Sequence, residues 1–199
     1  MEEKFKPSPT YKAELKEAYN KSSKQLVWVG IISIVMLFAG FTSAYVVRAD
    51  NGSWLIFNLP NAFYLSTAVI VTSSITLFFA LQMAKKDNKK GIILGLLATF
   101  ILGLAFTYCQ FLGYGELLSK HIIPGGKASN ASGSFLYLIT FMHLLHLFAG
   151  LIVVLITLKN GIKGNYTSKN ALGLELCSIY WHFLDILWVY LFLFFYFIR

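Results

Sequence analysis

Five long apolar runs dominate this 199-residue sequence and restrict what it can fold into. A transmembrane helix needs about 20 predominantly apolar residues, and in lipid only helices or closed barrels satisfy every backbone polar group. Hydrophobic residues make up 57% of the chain and charged residues only 13%, unlike a soluble domain. The sequence therefore predicts an all-α membrane protein, a bundle of five transmembrane helices at about 26–47, 63–84, 91–113, 135–158 and 172–198.

The distribution of basic residues predicts how this bundle is oriented. Residues 1–25 are polar and Lys-rich, without the apolar core of a cleavable signal peptide, so we expect a cytoplasmic segment followed by one transmembrane domain, 26–199. A five-span arrangement places 13 of the 17 Lys and Arg residues on one side, and the other four are Arg48, Lys120, Lys127 and Arg199. By the positive-inside rule, the N-terminus is cytoplasmic and the C-terminus periplasmic. The basic excess therefore reflects topology and does not indicate nucleic-acid binding.

Two segments outside the spans carry patterns of their own. From Tyr11 to Tyr19, apolar residues recur at helical spacing, which predicts a separate short helix within residues 8–22. Such a helix would lie on the cytoplasmic face or against a partner, and a frayed tail is the alternative. Between the third and fourth spans, residues 114–134 contain Pro124-Gly125-Gly126, which favours irregular structure.

The last two spans carry ionisable residues that hydrocarbon disfavours. In the last span, Glu175, His182 and Asp185 fall within about a quarter turn of one helix face. The fourth span carries His143 and His146. A charged side chain at mid-membrane costs at least ~2.5 kcal/mol, so such residues need partners or a purpose. Since the two spans are consecutive and antiparallel, we expect their polar faces to meet in one network. The depths of the residues allow, without requiring, a pairing of Asp185 with His143 or His146.

Three interpretations of this cluster follow from the residues alone. A metal centre would use the histidines and a carboxylate, although the spacing His-x-x-His is by itself a weak signal. A proton-coupled or ion-coupled carrier would use Glu175 or Asp185, but no span shows the Gly/Pro break typical of transporter sites. A polar network would lock the last two helices together and present a surface to a larger partner.

A family resemblance bears on this choice. The string Tyr180-Trp181-His182-Phe183-Leu184-Asp185-Ile186-Leu187-Trp188 closely resembles the last helix of subunit III of haem-copper oxidases, in particular cytochrome c oxidase. The resemblance covers nearly all of residues 26–198. Further residues that match the motifs of the family are Gln110, Tyr114, Glu116, His143, His146 and Gly150. With five spans, the chain is similar to the short bacterial form, which lacks the first two helices of the seven-span form.

The resemblance implies a non-catalytic subunit, without catalytic, metal-binding or cofactor-binding residues of its own. Haem A and copper would lie in partner subunits. The chain would pack on the catalytic subunit I, with subunit II and an optional subunit IV as further partners, and would bind structural phospholipids. It would support proton uptake and durable O2 reduction in the aerobic respiratory chain of the bacterial plasma membrane, where the oxidase can join a larger respiratory supercomplex.

Two alternatives and one departure accompany this resemblance. Subunit III of a quinol-oxidizing haem-copper oxidase also has five spans and a similar last-helix string, and the ion-coupled carrier is the alternative from a different class. Where the family often reads Ser-Glu-Val in the first retained helix, this chain reads Ser33-Ile34-Val35. Any role of that acidic residue is therefore not carried over.

Overall fold

The computed structural model describes residues 8–49, 58–125, 130–168 and 170–198. Over these residues the chain forms helices α1 Pro9–Ala49, α2 Asn61–Lys85, α3 Lys89–Ser119, α4 Ala131–Ile162 and α5 Leu172–Phe197. Each of the five is long and apolar enough to cross a membrane. The predicted all-α architecture with five spanning helices is thereby confirmed.

Four of the helices form a closed ring, and the first lies outside it. In the ring, α2 packs on α3, α3 on α4, α4 on α5, and α5 on α2. Helix α1 contacts α4 and α5. Its buried apolar residues Ile31, Phe38 and Tyr45 recur every seven residues, which is the period of a helix that meets its neighbours along one narrow stripe. The core of the protein therefore lies inside the ring, and most of the α1 surface faces outward.

Helices α2 and α3 make the closest approach in the bundle. A Cβ atom added to Gly95 of α3 would lie 2.7 Å from the Cβ of Ala80 and 3.0 Å from the carbonyl oxygen of Thr76, both on α2. Near the other end of α3, a Cβ added to Gly113 would overlap the ring of Phe63. Lipid gives helices no hydrophobic reason to associate, so small residues that let backbones approach supply the packing contacts.

The first helix differs from the sequence prediction. A separate short helix within residues 8–22 was expected, but α1 runs without interruption from Pro9 to Ala49. The segment before the first apolar run contains neither glycine nor proline after Pro9, so no residue there favours a break between an amphipathic turn and the span. The change from an amphipathic to an apolar pattern marks a change of surroundings and not the end of a helix.

The connection after the third span is also shorter than predicted. Helix α3 continues to Ser119 and α4 begins at Ala131, so helix replaces both ends of the segment 114–134 that was expected to be irregular. Residues 126–129, including part of the predicted Pro-Gly-Gly turn, lie outside the described residues. Asn130 caps α4 by accepting a hydrogen bond from the backbone N–H of Ser132.

A polar clasp joins the two turns at one end of the bundle. Asp87, between α2 and α3, accepts hydrogen bonds from the backbone N–H of Ser168 at 2.6 Å and from its hydroxyl at 2.9 Å. Ser168 lies between α4 and α5, so the clasp spans opposite sides of the ring. Asp87 has φ +52°, a left-handed conformation that aspartate, asparagine and glycine tolerate better than other residues.

Asp87→Gly should therefore keep the turn and remove the clasp. A net loss of about 1 kcal/mol for the hydrogen bonds lowers the midpoint of thermal unfolding in detergent by about 2–4 °C. Asp87→Asn is the matched control, because its side-chain carbonyl can still accept from the Ser168 backbone and asparagine also tolerates positive φ. Equal midpoints for wild type and Asp87→Gly would show that the clasp contributes no stability.

Candidate intramembrane site

The polar residues of α5 gather near its midpoint and face α2. Asp185 lies about 20 Å from either end of α5 at 1.5 Å per residue, and Ser74 lies similarly near the centre of α2. His182 precedes Asp185 by one helical turn, which places both residues on the same side of α5. These three side chains form a cluster between α2 and α5, which we call the Ser74 cluster.

One hydroxyl group is shared within the Ser74 cluster. The Ser74 Oγ lies 2.5 Å from Nδ1 of His182. The carboxyl group of Asp185 lies beside the same hydroxyl. Asp185 is only 3% exposed, and neither of its oxygens has hydrogen-bond geometry to any residue in the described ranges. Because a hydroxyl carries one proton, Ser74 can donate to the imidazole or to the carboxyl group, but not to both.

Two indole groups extend this contact between α5 and α2. The Nε1–H of Trp181 donates to the Ser73 hydroxyl at 3.0 Å, and that of Trp188 donates to the Thr67 hydroxyl at 3.1 Å. Both indole rings are buried, and a buried Trp N–H ordinarily needs such an acceptor. Helix α2 therefore supplies the hydroxyl partners for the polar side of α5.

Among the described residues, neither histidine of α4 is hydrogen-bonded to Asp185, although the depths of these residues allowed such a pair. His143 is 1% exposed, and neither of its ring nitrogens has a hydrogen-bond partner among the residues that the structure describes. Its ring lies instead among aromatic rings, including Phe106 at 6.0 Å and Trp188 at 5.2 Å between centroids. Aromatic packing, and not a carboxylate, surrounds this histidine.

His146 lies on the side of α4 that faces α1. Its Nδ1 is 2.7 Å from the carbonyl oxygen of Met142, one turn earlier in the same helix. Its ring makes an edge contact with Phe38 of α1, and its backbone carbonyl accepts a hydrogen bond from the Tyr180 hydroxyl at 3.2 Å. The two histidines of α4 share Phe38 as an aromatic neighbour, and neither joins the Ser74 cluster through a hydrogen bond.

Glu175 also lies apart from the cluster. It is in the first turn of α5, and its Oε2 is 2.6 Å from Nζ of Lys24 on α1. Both side chains are about two-fifths exposed, at 45% for Lys24 and 40% for Glu175. An ion pair with this much exposure contributes about 0–1 kcal/mol, so it orients α1 against α5 more than it stabilises the bundle.

The remaining motif residues link α3 to its neighbours at the opposite end. The Gln110 side-chain N–H donates to the Ser66 hydroxyl at 3.0 Å, and the Tyr114 hydroxyl donates to that of Thr140 at 3.0 Å. A Glu116 carboxylate oxygen accepts a hydrogen bond from the backbone N–H of Asn61 at 2.9 Å, where α2 begins.

The motif residue Gly150 of α4 packs closely against α5. A Cβ added there would be 3.0 Å from Leu184 and 3.4 Å from the Trp181 ring.

Sequence reasoning missed the hydroxyl residues of α2. Their signal was present, because serine and threonine are frequent in an otherwise apolar span and those facing inward recur at helical spacing. The hydroxyls that accept from, or bond to, residues of α3 and α5 belong to Ser66, Thr67, Ser73, Ser74 and Thr76. Such side chains commonly hydrogen-bond across helices in membranes.

The arrangement supports helix association more directly than chemistry. Within the described residues, no three His, Cys, Asp or Glu side chains come together as a set that could hold a metal ion. The five ionisable residues predicted to form one network lie instead in three places: the Ser74 cluster, the surroundings of the α4 histidines, and the Lys24–Glu175 pair.

Comparisons with known proteins identify close similarity over almost the whole chain. The family model described as cytochrome c oxidase subunit III matches residues 8–199. The probable cytochrome c oxidase subunit 3 of Mycobacterium tuberculosis is 35% identical over 181 residues, covering 87% of this chain and 86% of that protein. The cytochrome c oxidase subunit 3 of Corynebacterium diphtheriae is 30% identical over 83% of this chain and 82% of its own length. The cytochrome bo(3) ubiquinol oxidase subunit 3 of Buchnera aphidicola is 29% identical over 92% of this chain and 97% of its own length.

Proposed function

This chain belongs to the cytochrome c oxidase subunit III family, and we propose that it serves an oxidase whose electron donor is cytochrome c. It is a subunit of a multi-subunit haem-copper oxidase in the membrane, and a non-catalytic one. The observation that carries the choice of donor is the higher identity, 30–35%, to relatives named as cytochrome c oxidase subunits. The quinol-oxidizing form remains the second candidate, because the ubiquinol oxidase relative matches 92% of this chain. The family assignment decides against the ion-coupled carrier.

Oxidation of the two donors by the native complex tests this proposal. Membranes of the source bacterium are solubilised in mild detergent, the complex is captured through a tag on this chain, and O2 uptake is measured with reduced cytochrome c and, separately, with a quinol. We expect cytochrome c to support uptake and the quinol to support little. The reverse preference would assign the chain to the quinol-oxidizing branch.

The role of the chain in this complex is mechanical and supportive. It packs on subunit I, with subunit II and an optional subunit IV nearby, and it helps to sustain proton uptake while the haem A and copper centres of partner subunits reduce O2. The bonds of Trp181 and Trp188 to α2 and of Tyr114 to α4 support this role, since they hold the bundle in one arrangement. The motif residues act as positioning residues under this proposal.

Structural phospholipid fits a groove between α1, α4 and α5. The groove has a volume of about 510 Å³ and is lined mainly by apolar side chains. Gly30 on its α1 wall leaves open space, because a Cβ added there would meet no atom within 4 Å. Gly173, near the start of α5, lines one end of the groove, and the Lys24–Glu175 pair lies near that end. A lipid phosphate group at that end would lie close to the ammonium group of Lys24. An acyl chain along the groove would cover apolar surface that α1 leaves exposed.

The proposed orientation places the N-terminus in the cytoplasm and the C-terminus in the periplasm of a bacterial plasma membrane. Four lysines at the junction of α2 and α3, residues 85, 86, 89 and 90, support it most directly, because positive residues are retained on the cytoplasmic side. Fusions of alkaline phosphatase after Lys90 or Lys163 should be inactive, and a fusion after Lys127 should be active. Activity in the opposite pattern would invert the topology.

A further inference from the structure

The Ser74 cluster leaves hydrogen-bonding capacity on the outer side of the bundle. Ser74 and His182 are both partly exposed between α2 and α5. Ser74 occupies Nδ1 of His182, while Nε2 makes no hydrogen bond to any residue in the described ranges. A neutral imidazole has one donor and one acceptor nitrogen. With Nδ1 bonded to Ser74, Nε2 is therefore available to another group, as a donor in one tautomer and as an acceptor in the other. The buried carboxyl group of Asp185, one helical turn after His182, also has no oxygen with hydrogen-bond geometry to the described residues.

The depth of the cluster determines what can bond to it. Ser74 and Asp185 lie near the midpoints of their helices, so the cluster is about 15 Å from either boundary of a hydrocarbon core about 30 Å thick. Lipid headgroups lie outside that core, and acyl chains cannot form hydrogen bonds. A polar group left without a partner there carries a free-energy penalty of several kcal/mol. The matching group must therefore be presented at mid-depth, as a side chain on another transmembrane helix can present it.

Other outward-facing hydroxyls of the bundle do not create this requirement. Those of Ser33, Thr72 and Thr107 each donate to a backbone carbonyl one turn earlier in their own helix. His146 has Nδ1 bonded within its own helix and lies against Phe38 on the α1 side. The Ser74 cluster is distinct because three polar side chains from two helices converge.

Exposed apolar side chains of α2 lie on either side of the cluster along the helix. Val71 is one turn before Ser74 and Phe78 is one turn after it, so both share the side of α2 on which Ser74 lies. A helix packed along this face would cover both apolar side chains together with the Ser74 cluster.

We propose that the face formed by α2 and α5 around the Ser74 cluster docks a transmembrane helix of another oxidase subunit, with a hydrogen-bonding side chain of that helix bonded to His182. The proposal rests on the assignment of this chain to an oxidase, which supplies a different membrane subunit as the neighbour. The partner side chain is a hydroxyl, an amide or another neutral group that can complement either ring tautomer. The docking helix thus covers the polar group that lipid would leave without a bond.

Photocrosslinking in the assembled oxidase tests the docking face. Benzoylphenylalanine replaces Phe78, which is 55% exposed one turn from Ser74, or Phe148, which is 64% exposed on α4. After irradiation of native membranes, we expect the Phe78 probe to crosslink to a different subunit of the oxidase and the Phe148 probe to react with lipid. Lipid adducts alone at Phe78, or crosslinks between two copies of this chain, would overturn the proposal. A crosslink to another subunit from Phe148 and none from Phe78 would also overturn it.

Substitution of His182 tests the hydrogen bond itself. His182→Gln keeps a donor and an acceptor, whereas His182→Leu removes both. We expect His182→Leu to lower the amount of this chain retained with the haem-bearing subunits, in a detergent titration, by about threefold to twentyfold, and His182→Gln to restore most of it. Equal retention of both variants, or equal loss of both while each isolated chain remains folded, would reject the bond. Haem in the wild-type preparation tests the oxidase assignment separately, so the two failures are distinguishable.

Discussion

Gly95→Val should abolish accumulation of the folded chain, because it forces apart the two most closely packed helices. The valine Cβ would lie 2.7 Å from Ala80 Cβ, 3.0 Å from the Thr76 carbonyl oxygen and 3.1 Å from Ala80 Cα. Two of these atoms belong to the backbone of α2, so no side-chain rotation relieves the overlap. Separation of α2 from α3 would also break the 2.8 Å hydrogen bond between Thr76 and Thr99. We expect a destabilisation of about 3 kcal/mol or more.

Gly115→Val is the matched control for this substitution. It makes the same change in the same helix, but a Cβ at Gly115 meets no atom within 4 Å. The cost of a β-branched residue in the helix is therefore similar in both variants, and only the contact with α2 differs. The ratio of monodisperse protein to total protein in mild detergent gives the comparison. Similar ratios for the two variants would mean that α2 and α3 do not pack as described.

Trp181→Ala should produce the second large loss, because this indole touches every other helix of the ring. A Cβ added to Gly103 of α3 would be 2.8 Å from the indole, and one added to Gly150 of α4 would be 3.4 Å from it. The ring is fully buried, and its N–H donates to Ser73 of α2. Truncation of a buried tryptophan to alanine costs about 3–5 kcal/mol in soluble protein cores, and packing contacts of the same kind are lost here.

Two variants separate the contributions of the Trp181 indole. Trp181→Phe retains much of the ring and loses the donor, so we expect about 1 kcal/mol from the missing hydrogen bond together with a smaller packing loss. Trp28→Ala removes the same side chain from α1, where it is 54% exposed, and should leave the unfolding midpoint nearly unchanged. Helix content followed against denaturing detergent gives the three midpoints. A midpoint for Trp181→Ala close to that of Trp28→Ala would contradict the central position of this residue.

The number and type of the helices were predictable from sequence, whereas their rotation was not. A run of apolar residues long enough to span the bilayer determines its helical state, since hydrocarbon allows few alternatives. The polar face of α5 could meet either of two neighbours in an antiparallel bundle. Because α4 directly precedes α5 in the sequence, α4 was the expected partner of this face. The hydroxyl groups that accept hydrogen bonds from Trp181 and Trp188 lie instead on α2. The rings of Phe106 on α3 and Trp188 on α5 surround His143 and occupy the space that a pair with Asp185 would have needed.

The grouping of the candidate residues depends on contacts between helices, which the spacing along one helix does not predict. Glu175 shares a helix face with Asp185, yet it lies near the end of α5 and is paired with Lys24 on α1. The spacing along one helix gives no information about which residues of another helix lie at the same depth. The role of Ser74 was missed for the same reason, because a serine in a span becomes informative only when its neighbour across the interface is known.

Isolation of the native complex through this chain tests the assignment most directly. A C-terminal tag, mild detergent and aerobically grown cells give a preparation whose reduced-minus-oxidised spectrum and subunit composition are both measured. We predict the absorption of haem A, dinuclear copper in a copurified subunit, and the catalytic subunit in a constant ratio to this chain. A folded, colourless preparation that contains this chain alone, from membranes in which the oxidase is active, would contradict its role as an oxidase subunit.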